Sequence, residues 1–126
     1  MSLCGAAGFL HWGFNFYNSQ YSLREVDPWK ETDAGGNFHS GDSFIVYPFD
    51  GGVIPSIRLF VIQEAFFDYF ALETLKQRRG TEFVSRFLKE NGMEGVSTYP
   101  KDVAKYLSIR AKINEYLAAD QENGVC

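Results

Sequence analysis

The sequence predicts an α/β fold that is mostly helical within this chain, has one or two short strands, and is incomplete by itself. Three observations predict it. An aromatic run near the N-terminus is continuous and has no helical period. A long later segment is apolar around nearly its whole circumference. The chain offers the first run no partner strands, and an unpaired buried backbone is costly. A chain of 126 residues holds one small core and not two.

Gly8 to Tyr17 is the aromatic run, and its boundaries and composition fit a strand buried on both faces. Phe44-Ile45-Val46-Tyr47 is a second strand candidate, closed by Pro48 and by Asp50-Gly51-Gly52. Between them runs a connection of about 25 residues rich in Gly, Asn, Ser and Asp, a length that marks functional or disordered loops. Its aromatics and single charges argue against disorder. Pro55-Ser56 opens a helix running to Arg79, with Gly80 as the residue beyond its C-terminus. Apolar side chains from Ile57 to Leu75 wrap that helix, so it needs neighbours on two sides. Thr81 is expected to cap a second helix that Gly92 ends, and Pro100 to sit in the first turn of a third. In the third helix Tyr106, Ile109, Ile113, Tyr116 and Leu117 form an apolar stripe, with Lys101, Lys105, Lys112 and Glu115 facing water. The expected division is 1–55, strand and loop, followed by 56–126, helices.

Composition narrows the function. The net charge is −4, which disfavours a polyanion-binding surface, so no nucleic acid partner is expected. The one basic cluster, Lys76, Arg78 and Arg79, belongs at a helix C-terminus, where cations favour the dipole. No apolar run reaches membrane-spanning length, and no membrane partner is expected. Cys4 and Cys126 make no disulfide framework or metal spacing. The start of the chain lacks the layout of a signal peptide, and Leu3-Cys4-Gly5 lacks the hydrophobic segment of a lipidation signal. No cofactor or metal is expected, because His11, His39 and the scattered Asp residues match no ligand spacing. Twelve Phe, seven Tyr and two Trp call for either burial or a ligand.

Two local patterns resemble catalytic motifs and are set aside. Gly41-Asp42-Ser43 leads into a strand rather than a nucleophile elbow, with only His11 and His39 as bases. Glu64 and Asp68 stand four apart on one helix, whereas glycosidase carboxylates face each other across a bond from different elements. They are read as a solvated or salt-bridged pair.

Five segments together resemble a known family: Gly8-Phe9-Leu10-His11-Trp12-Gly13-Phe14-Asn15, Thr32-Asp33-Ala34-Gly35-Gly36, Gly41-Asp42-Ser43-Phe44-Ile45-Val46-Tyr47-Pro48, Pro55-Ser56-Ile57-Arg58-Leu59 and Asp68-Tyr69. Their order and spacing are similar to the C-terminal part of the domain of unknown function 4091, grouped with the glycoside hydrolase family 123 barrels. The resemblance covers roughly residues 5 to 120. It implies a (β/α)8 barrel of the TIM type acting on carbohydrate, with this chain as its C-terminal segment. It further implies substrate-assisted hydrolysis of an N-acetylhexosaminide by an Asp–Glu pair on an earlier strand, which has no counterpart here. Gln63-Glu64-Ala65 departs from the family's Arg-Asp-Gly, which puts a polar role for that helix in doubt.

In such a barrel, strand ends and the loops after them face the catalytic mouth. The residues so placed are Trp12, Asn15, Tyr17, Asn18, Asp33 and Asp42, with Arg58 one turn into the helix. Aromatic rings suit the apolar face of a pyranose, and Asn or Asp suit its hydroxyls. Trp12 is open to both a core and a platform reading, and Asn15 and Asn18 to both turn and ligand roles. Arg58 is read as anchoring the loop through a salt bridge, with a place at the mouth as the alternative. The expected function is one wall of a carbohydrate site without catalytic carboxylates, the partner being carbohydrate bound through the full-length parent, with self-association of this chain. The alternative is a stand-alone sugar-binding or self-assembling module.

Overall fold

A computed structural model describes residues 5–6, 8–95, 97–122 and 124. Cys4, Cys126 and the Leu3-Cys4-Gly5 signal considered above fall wholly or partly outside them. The architecture mixes helix and strand: a hairpin of β1 (Val46–Phe49) and β2 (Gly52–Pro55), then α1 (Ile57–Arg79), α2 (Thr81–Glu90) and α3 (Val103–Glu122). Two compact units divide the chain, Phe9–Glu64 and a helical unit made mainly of residues from Ala65 onward. Among the described residues no helix is long and apolar enough to cross a membrane.

The hairpin follows from its turn. Asp50 and Gly51 have φ of 44° and 71°, the double left-handed geometry for which Asp-Gly is the preferred pair. Antiparallel register then sets Val46 opposite Pro55 and Phe49 opposite Gly52. The second strand expected at Phe44–Tyr47 is thus present, shifted by two residues, and β2 is a strand the sequence reading missed. Pro48 is tolerated because a two-stranded sheet consists of edges.

The expected strand over 8–17 does not form. Residues 14–16 run antiparallel to 43–45, with Ile45 N–H donating to Phe14 O at 2.8 Å and Phe16 N–H to Ser43 O at 3.0 Å. Pairing stops at the single bridge between Asn15 and Phe44. Past the bridge, residues 40–43 turn away, and the strand that begins at Val46 pairs with β2. Nor is the run buried on both faces: Leu10 is 91% exposed and Phe9, Trp12 and Phe14 are about half exposed.

α1 matches its expected span, and its last turn carries Lys76, Arg78 and Arg79. Gly80, at φ 86° and ψ 158°, both receives the end of α1 and caps α2. Thr81 is therefore the first residue of α2 and not its cap, since this backbone conformation is open to glycine alone. Pro100 lies outside α3. Asp102 opens that helix instead, its Oδ2 accepting the Lys105 N–H at 2.9 Å.

The helical unit has a core of Leu75, Val84, Phe87, Leu88, Ile109 and Ile113, flanked by Phe83, Met93, Tyr116 and Leu117. Arg79 ties its helices together. Its Nε lies 3.0 Å from both Asp120 carboxylate oxygens, and Nη2 lies 2.6 Å from Oδ1. The guanidinium carbon is 5.1 Å from the Phe83 ring centre and 4.6 Å from that of Tyr116. The hydrogen bonds from Arg79 hold the Asp120 carboxyl below the ordinary carboxylate range. Asp68 is salt-bridged, as expected for it, to Arg110 at 2.7 Å, and accepts a bond from the Tyr106 hydroxyl.

Candidate functional site

In the Phe9–Glu64 unit the aromatic segment makes a close backbone crossing with the later loop. Gly13 is buried, and a Cβ there would lie 2.7 Å from Ser43 C and Cα and closer still to Asp42 O. Only glycine lets the aromatic segment reach the loop. Beside this crossing the His11 Nε2–H donates to Asp42 O at 2.9 Å, and the Trp12 indole N–H donates to Asp42 Oδ2 at 3.1 Å. The Trp12 ring packs against Phe38 at 4.7 Å and Phe16 at 5.6 Å. One flank is packed while 48% of the residue is exposed.

Arg58 reaches the same loop from α1. Its Nη2 and Nε donate to Phe44 O at 2.9 and 3.2 Å, and its guanidinium lies 5.8 Å from the Phe44 ring centre and 5.9 Å from that of Tyr47. The loop is thus anchored by Arg58, but through a backbone carbonyl and two rings rather than a salt bridge. Gly41, at φ +81°, gives the guanidinium room, since a Cβ there would collide with it. His11, Asp42 and Arg58, with Ile45, Ile57, Val61 and Ile62, line an apolar cleft of about 260 Å³.

A second cleft, about 350 Å³, brings together Asn15, Tyr17 and Asn18 with Glu25, Val26, Pro28 and Pro48. The Tyr17 hydroxyl donates to Val46 O at 2.9 Å, and burial pushes its pKa up. Its polar end therefore serves the fold, leaving, among the described residues of this cleft, Asn15, Asn18 and Glu25 as the side chains with hydrogen-bonding capacity for a ligand. Glu25 was missed because its approach depends on the bridge between Asn18 and Glu25, a pairing without sequence periodicity. Trp29 was missed as well. Its indole N–H donates to Pro48 O at 3.2 Å, and its ring packs on Tyr47 at 4.7 Å. The readable signal was Asp27-Pro28, whose aspartate Oδ1 accepts the Trp29 N–H at 3.0 Å.

Asp33 lines neither cleft. Its Oδ1 accepts the Gly36 N–H at 2.9 Å and its carbonyl accepts from Asn37 and Phe38, each at 3.1 Å. Ser43 is fully buried, and its Oγ has no hydrogen-bond partner among the described residues. A nucleophilic serine needs a base within reach.

Both clefts lie within a stretch that can be assigned. Residues 1–75 match the family described as glycoside hydrolase 123, catalytic domain. The chain belongs to this family. The match takes in the Gly13–Ser43 crossing, both clefts and α1 as far as Leu75. No curated protein matches the chain.

Proposed function

We propose that this chain is the C-terminal segment of a (β/α)8 glycoside hydrolase barrel of the domain of unknown function 4091 type, and that it supplies one wall of a carbohydrate site. Residues 1–55 contribute that wall and 56–126 the helical closure of the fold. The substrate class is a β-linked N-acetylhexosaminide, and the hydrolytic carboxylate pair comes from another part of the barrel. The observation that carries this reading is the convergence of Asn15, Tyr17 and Asn18 on one cleft beside Glu25. Amide and carboxylate groups there suit sugar hydroxyls, and the half-exposed rings of Trp12 and Trp29 suit the apolar face of a pyranose. Within this wall Asp42 and Arg58 hold the Trp12 loop in place, and Asp33 shapes the turn beyond it.

Two measurements test it. With 4-methylumbelliferyl N-acetyl-β-hexosaminides, the 126-residue chain should show no turnover above buffer, and turnover would overturn the assignment of the carboxylates. Titration calorimetry with N,N′-diacetylchitobiose should show weak binding that Asn15→Ala and Asn18→Ala each reduce by about three- to tenfold, one lost hydrogen bond being worth about 0.5–1.5 kcal/mol. Unchanged binding in both variants would overturn the cleft.

A second reading, a stand-alone carbohydrate-binding module without catalysis, is favoured by one observation. The helical unit has a closed core of its own, as an autonomous module requires.

A further inference from the structure

The loop between the two aromatic segments holds one more cleft, about 430 Å³, whose lining shares no residue with the two already described. Tyr21 stands at its edge, 82% exposed. Its φ is +60° and that of Ser22 is +55°, a left-handed pair that bulky side chains rarely adopt. The surrounding bonds enforce it. Ser22 N–H donates to Ser19 O at 2.9 Å, Ser19 N–H to Arg24 O at 2.9 Å, and Arg24 N–H to the buried Ser19 Oγ at 3.1 Å. A short clamped turn therefore presents an aromatic ring to solvent at a conformational cost, and such strain concentrates at ligand-contacting positions.

The chemistry around the ring is neutral. Gln20 and Asn37 line the cleft with amides. Arg24 also lines it, but its guanidinium is paired with both Glu31 oxygens at 2.9 and 2.5 Å. Gly35 leaves room for that pair, since a Cβ there would sit 3.1 Å from Arg24 Nη2. An anionic ligand would find no uncompensated cation. A flat apolar ring beside neutral donors and acceptors fits a hydroxyl-rich neutral ring. We propose that the turn at Tyr21 is a second carbohydrate contact, taking a neutral pyranose unit on the Tyr21 ring with Gln20 and Asn37 bonding its hydroxyls. The choice of ligand class rests on the carbohydrate reading above, while the location does not.

The test is amide chemical-shift mapping of the full chain titrated with N,N′-diacetylchitobiose and, separately, cellobiose. The expected result is saturable shifts at 19–24 and 35–37. Tyr21→Asn removes the ring while keeping a residue that tolerates positive φ, and should weaken these shifts at least about fivefold. Tyr21→Phe should keep binding within about twofold, because the ring face remains. Asn15→Ala and Asn18→Ala should leave these shifts unchanged. Absence of shifts at 19–24, or shifts that survive Tyr21→Asn, overturns the proposal. Shifts confined to 15–18 and 25–28 overturn it while supporting the wall, and shifts confined to the Tyr21 turn support it while contradicting the wall.

Discussion

Gly13 has no latitude. Its neighbours across the crossing are the backbone atoms of Asp42 and Ser43, which cannot rotate away as a side chain would. Gly13→Ala should therefore destabilise the protein by about 1–3 kcal/mol, as overpacking does, and chemical denaturation would measure it. A variant as stable as the parent would contradict the crossing. Asn15, Tyr17 and Asn18 line one cleft, and their closeness was legible because all three fall within residues 15–18. Arg58 was legible as a loop anchor but not in its partner, since carbonyl acceptance by Phe44 leaves no mark on residue type. Asp33 was selected as a loop residue facing the barrel mouth, and its Oδ1 closes a turn onto Gly36, a role that an aspartate shortly before Gly-Gly also fits.

Among the elements, the three helices were readable to within a few residues, because Gly80, Gly92 and the apolar stripes fix them locally. The N-terminal strand was not. Strand formation depends on a partner, and residues 43–45 offer only one bridge. Missing β2 had a different cause: Asp50-Gly51 was taken as an end to the second strand candidate, though it is also the strongest short-range hairpin signal. The helical unit supplies two predictions. Leu75 is fully buried in its core, so Leu75→Ala should cost about 2–5 kcal/mol, and a change near zero would remove the core assignment. Asp120 supplies the other. Its folded pKa is depressed by the hydrogen bonds from Arg79. It therefore contributes stability above its unfolded pKa, about 3.9, and loses it as pH falls from there through the folded value. Melting temperature should drop over that acidic window, and Asp120→Asn should flatten the drop. An equal drop in the variant would contradict the role of the pair.

At the scale of the molecule, the chain carries more apolar surface than its own packing covers. Leu10, Ile57, Val61, Phe67 and Phe70 are all more than half exposed, and surfaces of this kind mark association sites. That surplus was legible from the all-round apolar pattern of the segment that became α1. The central claim, a barrel segment whose open faces need partners, is tested most directly by light scattering coupled to gel filtration, with a thermal melt on the same sample. The account predicts a dimer or larger species with a cooperative melt. A monomer at all concentrations with an equally sharp melt would contradict it and leave the stand-alone module.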